Sequence, residues 1–270
     1  MKDWAVILGS SSGFGAATCR ALASRGINIY GIHLDRKVAM DSINSLVDEL
    51  KSNNVEVHFK NMSATDADKR RAVIDELKSL GNIRVKILMH SLAFGALKPV
   101  IDMDASKTLQ QRQVEMTLDV MASSILYWTQ ELFQAGLLQK GSQIFAMTSS
   151  GGHRQWKAYG AVSAAKASLE SYCRQLAFEF SEYGIATNAL QAGVTDTPAL
   201  RKIPDNEKMI EYALMLNPGK RLTVPEDVAN IIAALGLSEN TWLTGNTIRV
   251  DGGEDIDRKS TRLNSSHTSI

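Results

Sequence analysis

Apolar positions along this chain switch repeatedly between two periods, and the switches mark its elements. "WAVILG" is a short apolar run suited to a buried strand, and "FGAATCRALASRG" after it carries a helical period that stops at Gly26. "INIYGIHL" predicts a second strand, "DSINSLVDELKSNN" an amphipathic helix ending in two asparagines, and "VEVHFKN" an alternating third strand. Thr65-x-x-Asp68 reads as a capping box that opens the helix "DADKRRAVIDELKSLG", and "RVKILMHS" predicts the next buried strand. A helical period then runs from about Ser106 to Ala135, followed by "SQIFAMTSS" as a strand and a helix from Tyr159 through Tyr183. "IATNALQAG" is a sixth strand. Thr223-x-x-Glu226, with Pro225 in the first turn, opens a helix over "VANIIAALGLS", and "GNTIRVDGG" closes as the seventh strand.

Strand runs this short and this apolar belong in a sheet buried on both faces. Seven of them alternating with helices predict an α/β chain with a doubly wound parallel sheet, a Rossmann fold in one domain over residues 1–256. The last segment, "DRKSTRLNSSHTSI" at 257–270, is polar and lacks any apolar period. It is expected to be a disordered tail of non-native read-through.

Charge and cysteine content narrow the function classes. Thirty Lys and Arg against 29 Asp and Glu leave a net charge of +1, with no basic or acidic block. Neither nucleic acid nor an anionic membrane is therefore an expected partner. Cys19 and Cys173 fall in helical segments without a CxxC or Cys/His cluster, so no disulfide framework and no metal site is expected, and a reducing cytoplasm fits. No stretch approaches the roughly 18 apolar residues of a membrane span, and "MKDWAVILGS" reaches Gly9 too soon for a signal peptide.

The first chemical signal is "LGSSSGFGAA", which places Gly9, Gly13 and Gly15 between strand one and its helix. A turn this tight lets backbone approach a pyrophosphate while helix amides face its negative charge. The second is "YGAVSAAKASLE", where Tyr159 and Lys166 lie seven apart and Val162 stands four before the lysine. Positions seven apart, like positions four apart, share one helix face.

With these residues the chain resembles the short-chain dehydrogenase/reductase family over about residues 3–254. Asn188 in "TNALQAG", Thr197 in "VTDTPAL" and the closing "TGNTIRVDGG" extend the resemblance, while Leu8 departs from the threonine usual before the first glycine. Within the family the Tyr-x6-Lys spacing is similar to that of enoyl-[acyl carrier protein] reductases. "HSLAFG" from His90 to Gly95 and Asp119 in "LDVMASS" are similar to that group as well. Ser149, ten residues before Tyr159, resembles the compact, NADPH-using, triclosan-tolerant type, and equally the serine of ketone-reducing relatives.

The resemblance implies catalytic roles for Tyr159, Lys166 and Ser149. It implies cofactor contacts at Gly9, Ser12, Gly13, Phe14 and Gly15, at His33 and Arg36 after strand two, and at Asn61 and Met62 after strand three. Further cofactor contacts are implied at Ser91, Leu92 and Ala93, at Lys166, and at Gly193, Val194, Thr195 and Thr197. Phe94, Gly95 and Trp156, with Tyr159, would wall an acyl channel. NAD-preferring relatives carry an acid where this chain has His33, and Arg36 and Lys37 could neutralise a 2′-phosphate. NADP(H) is therefore expected, with NAD(H) possible and Asp35 nearby as a complication. The implied reaction is reduction of a trans-2-enoyl thioester carried by acyl carrier protein or coenzyme A, in fatty acid biosynthesis. The alternative is a ketone or alcohol oxidoreductase of the 3-oxoacyl thioester or hydroxysteroid type. Asp119 and His153 are given no chemical step. Arg201 and Lys202 could meet an acidic carrier surface or simply solubilise their loop. Helices apolar on more than one face ("MASSILYWTQELF", "SLESYCRQLAFEF") imply a homo-oligomer, a tetramer or a dimer.

Overall fold

The computed structural model describes residues 1–256; the tail read above as disordered read-through lies outside them. Seven parallel strands form one sheet in the order β3-β2-β1-β4-β5-β6-β7. They are β1 (Lys2–Leu8), β2 (Asn28–His33), β3 (Val57–Asn61), β4 (Ile83–His90), β5 (Gln143–Ser149), β6 (Ala186–Ala192) and β7 (Thr247–Val250). The winding reverses between β1 and β4, whose carboxyl ends Leu8 and His90 are register partners. That reversal opens a crevice at the strand ends, where this architecture binds ligands.

Alternation along β1 shows how the two faces are filled. Trp4, Val6 and Leu8 pack with Leu77 of α3 (Ala67–Ser79), Trp128 of α5 (Ser124–Gln134) and Leu169 of α6 (Gly160–Phe180). Ala5 and Ile7 point the other way, to Leu22 of α1 (Gly13–Ala23), Leu50 of α2 (Met40–Lys51) and Ile232 of α8 (Pro225–Gly236). Side chains at successive strand positions point to opposite faces, so a sheet covered by helices on both sides needs uninterrupted apolar runs.

Several boundaries differ from the sequence reading, each for a local reason. Asp66, one residue after Thr65, caps α3: its backbone is extended and its side chain accepts the Lys69 amide at 3.1 Å. At α8 the Asp227 carboxylate accepts the Val224 amide at 3.0 Å, again one residue later than read. The long helix expected from Ser106 begins at Gln111. It divides into α4 (Gln111–Leu118), a π turn over Asp119–Ser123, and α5. A further helix, α7 (Asn206–Leu216), lies in the segment after β6 for which no helix was expected. Cys19 and Cys173 are buried and unbridged. Among the described residues no helix is long and apolar enough to cross a membrane, and no group of three or more His, Cys, Asp or Glu could hold a metal ion.

Candidate active site

The turn after β1 is built so that only glycine fits. Gly9 has φ +90°, and a Cβ there would lie 2.6 Å from the Ser91 carbonyl oxygen. A Cβ on Gly15 would lie 1.9 Å from the Gly9 carbonyl oxygen, so helix α1 starts hard against the turn. Ser12 is the N-cap of α1 but its side chain makes no capping bond, and the first turn carries no acid. The leading amides of α1 thus keep their capacity for an anion, and the turn fits a dinucleotide pyrophosphate.

The rim beside this turn is formed by the ends of β2 and β3. His33 is buried, and its Nδ1 lies 3.0 Å from Asp35 Oδ2. Asn61 is tied to Asp35 by two bonds, accepting the Asp35 amide at 3.1 Å and donating to its carbonyl at 2.9 Å. The Met62 amide donates to the His33 carbonyl at 2.7 Å. Arg36 and Lys37 extend outward and are exposed.

The catalytic candidates meet where β5 runs into α6. Ala158 adopts φ +60°, a left-handed conformation unusual for alanine, immediately before Tyr159 at the N-cap of α6. Burial raises the Tyr159 phenol above the ordinary tyrosine pKa, and a hydrogen bond with Ser149 opposes the rise. Lys166 is buried on the same helix, and its Nζ donates to the Met147 carbonyl at 2.7 Å. Burial pulls its pKa down to about 8, against the attraction of Glu170 one turn further on. Glu170 also accepts the Thr148 hydroxyl at 2.6 Å. Helix α6 therefore grips Met147 and Thr148, the two residues leading into Ser149.

These groups open into one cleft of about 440 Å³. It brings together Phe14, Ser91 to Gly95, Ser149, Trp156, Tyr159, Lys166, Gly193 to Thr195, and Thr197. Gly9, Ser12, Gly13, Gly15, His33, Arg36, Asn61 and Met62 are not in its wall; they form the neighbouring turn and rim just described. Much of the lining is apolar, with Leu92, Leu97, Met121, Met147 and Val162 among it, and Met209 and Tyr212 of α7 also border the cleft. Trp156 fastens the β5–α6 connection to the segment before α7, its Nε1 donating to the Pro204 carbonyl at 3.1 Å. Gly95 packs tightly: a Cβ there would come within 2.8 Å of Val162 Cγ2 and Thr117 Cγ2.

Three side chains of the cleft wall went unread or undervalued in the sequence. Lys202 lines the cleft, while Arg201 pairs with Asp196 at 2.8 Å. Arg154 lines it too and pairs with Asp255, whose carboxylate also lies 2.9 Å from His153 Nε2 and accepts Gln191 Nε2 at 3.0 Å. Glu254, next to Asp255, lines it from the turn after β7. Asp119 stays out of the cleft lining and accepts the Tyr127 hydroxyl at 2.9 Å. His90 is fully buried under the site. Ser124 Oγ donates to the Val120 carbonyl, which leaves it as acceptor for His90 Nε2–H at 2.8 Å. Nδ1 is then the bare nitrogen, and burial holds the ring neutral with a pKa of about 3.

A family model described as "Enoyl-(Acyl carrier protein) reductase" matches residues 9–254. A 3-oxoacyl-[acyl-carrier-protein] reductase of Thermotoga maritima is 25% identical over 92% of this chain and 96% of its own. A 1-cyclohexenylcarbonyl-CoA reductase of Streptomyces collinus is likewise 25% identical, over 94% of this chain and 88% of its own. Among solved structures, an enoyl-[acyl-carrier-protein] reductase (NADH) from Aquifex aeolicus superposes with a TM-score of 0.82. It is 20% identical and covers 95% of this chain and 97% of its own.

Proposed function

Because the chain belongs to the short-chain dehydrogenase/reductase family and is an oxidoreductase using a nicotinamide cofactor, we propose that it reduces the carbon–carbon double bond of a trans-2-enoyl thioester. One observation carries the reading. Tyr159 and Lys166 share the cleft from one helix, while the position four before the lysine presents only the methyl groups of Val162. Ketone-reducing members of the family carry their tyrosine at that position, and three residues displace the phenol here by about 4.5 Å along α6 from it. A ketone is protonated on the atom bonded to the carbon that accepts hydride. In an enoyl thioester the charge develops on an oxygen two bonds further away, and a donor shifted along the helix matches it. The Streptomyces relative, named as a reductase of an unsaturated coenzyme A thioester, supports the same class.

The nicotinamide cofactor supplies the hydride when bound. Gly9, Ser12, Gly13, Phe14 and Gly15 would hold its pyrophosphate, with Ser91, Leu92 and Ala93 along one side and Gly193, Val194, Thr195 and Thr197 along the other. His33, Asn61 and Met62 would border its adenosine half, and exposed Arg36 supports a preference for NADP(H). Tyr159 donates a hydrogen bond to the thioester oxygen and stabilises the enolate. Lys166 holds the ribose and places positive charge beside the phenol. Ser149 orients the carbonyl, and Phe94, Gly95 and Trp156 wall the acyl chain. The proposed carrier is acyl carrier protein or coenzyme A, in fatty acid biosynthesis in the cytoplasm, with the chain assembled as a homotetramer.

Ser149 beside Tyr159, and the Thermotoga relative named as a 3-oxoacyl reductase, favour a second reading as a ketone reductase. Crotonyl and acetoacetyl thioesters assayed with NADPH separate the two. The first is expected to turn over, and Tyr159→Phe to remove that activity. Consumption of acetoacetyl thioester alone, or retention of most activity in the variant, refutes the proposal.

A further inference from the structure

Glu254 is the only carboxylate lining the cleft among the described residues, and it is 5% exposed. Its Oε2 accepts the Val194 amide at 3.0 Å, and Gly193 leaves room for it: a Cβ there would sit 2.9 Å from the same oxygen. The charged side chains sharing the cleft wall with it are cationic: Arg154, Lys166 and Lys202. A carboxylate taken out of water without full compensation costs free energy. Burial and the neighbouring Asp251 accordingly hold this one above the ordinary glutamate range, while Arg154 opposes the rise.

The oxidised nicotinamide ring is a cation and the reduced ring is neutral, so a fixed negative charge in the wall distinguishes the two forms. On the cofactor reading given above, we propose that Glu254 is a positioning residue whose charge offsets the cationic side chains of the wall and shifts the cleft toward the oxidised cofactor, relative to the same cleft without it. It acts through the cleft from beside Val194 and touches no reacting atom. A unit charge in the wall of the cleft that would hold the ring, partly screened by Arg154 and Lys166, would give a discrimination on the order of tenfold.

The linkage has a definite sign. A cation placed near Glu254 lowers its pKa, so binding of the oxidised cofactor releases a proton and tightens as pH rises through the titration of this group. Asp251 after β7, Arg154 with its partner Asp255, and Lys166 across the cleft are the charged groups that face it. Lys166, with a pKa of about 8, responds to the ring charge with the same sign. The ratio of the two dissociation constants is therefore compared between wild type and Glu254→Gln, and the difference isolates the Glu254 contribution.

The test is direct binding of NADP+ and NADPH, by calorimetry or fluorescence, to the wild type, Glu254→Gln and Glu254→Asp at several pH values. Glu254→Gln is expected to weaken NADP+ about tenfold, to leave NADPH unchanged and to reduce the pH dependence of the ratio to the part near pH 8 that Lys166 supplies. Glu254→Asp is expected to retain the wild-type preference. Equal weakening of both forms, or an unchanged ratio with both forms still bound, overturns the inference and leaves the cofactor reading intact. Failure of the wild type to bind either form overturns both. Circular dichroism of each variant identifies loss of fold, and should Glu254→Gln unfold, a wild-type ratio that is flat with pH overturns the inference.

Discussion

Lys166 is where stability and chemistry pull against each other most directly, and replacing it by methionine tests both. Its ammonium is buried with one backbone acceptor, the Met147 carbonyl at 2.7 Å. The fall from 10.5 to about 8, at about 1.4 kcal/mol for each tenfold, amounts to about 3 kcal/mol of native-state destabilisation while the group is charged. Below pH 8 both the native and unfolded chains hold the proton and the whole penalty applies. Between about 8 and 10.5 the unfolded chain holds a proton that the native one lacks, so stability rises with pH. Above both values the penalty has gone.

Lys166→Met keeps the unbranched stem and removes the charge, but it leaves the Met147 carbonyl without its donor, a loss of about 1–2 kcal/mol. The variant is therefore expected to be more stable than the wild type by about 1–2 kcal/mol at pH 7 and less stable by a similar amount above roughly pH 10.5. Activity is expected to be lost throughout. Urea unfolding followed by circular dichroism at several pH values reads the difference, and titrations elsewhere largely cancel between the two proteins. A stability difference of constant sign and size across the range refutes the argument that this lysine is held charged against its burial.

Gly15→Ala puts a Cβ where the Gly9 carbonyl stands, 1.9 Å away and with no rotamer to escape into; NADPH binding is expected to fall at least a hundredfold with a lower melting temperature, and unchanged binding refutes the role of the turn. Arg36→Ala is expected to raise KM for NADPH about tenfold and to leave that for NADH unaltered; equal effects on both deny Arg36 a phosphate contact. Phe178 of α6 is 76% exposed and Trp242 before β7 is 94% exposed, as expected of faces buried between copies. Light scattering is expected to give a tetramer, which Phe178→Glu would dissociate, and a monomeric wild type rejects the assembly.

What the sequence disclosed was what local physics controls. Seven buried runs and a glycine turn are written in neighbouring residues, so the sheet and its crevice were legible before any coordinate. The start of α3 slipped by one because Thr65 and Asp66 both offer a capping oxygen and the extended backbone falls at Asp66. That of α8 slipped because Asp227, next to Glu226, is the acid that reaches back, and it caps the amide of Val224. The π turn was invisible for a different reason. It accompanies Ser124 bonding both to Val120 one turn back and to His90 at the end of β4, a contact 34 residues distant in the chain. Helix α7 escaped because its exposed and half-buried residues carry only a weak apolar face, with Ala213 its one buried member. Glu254 escaped because its partner, Val194, lies 60 residues away.

The Tyr159–Lys166 spacing lies between these cases: its existence is local, and its meaning depends on packing. A seven-residue interval keeps both side chains on one face of α6, which sequence alone states. It does not state that the intermediate position is closed. Val162 is buried, and the loop after β4 lies directly over it, with Gly95 so near that even a methyl group there would meet Val162 Cγ2 at 2.8 Å and Met121 Sδ at 2.9 Å. A phenol at 162 would need the space that this loop occupies. The two placements of the tyrosine are therefore alternatives imposed by a single wall, since the same Gly95 contact that seals the valine also narrows the apolar end of the cleft. On the proposed reading, donor position and acyl channel are set together, so a change of reaction would require rebuilding the β4–α4 loop as well as moving one tyrosine.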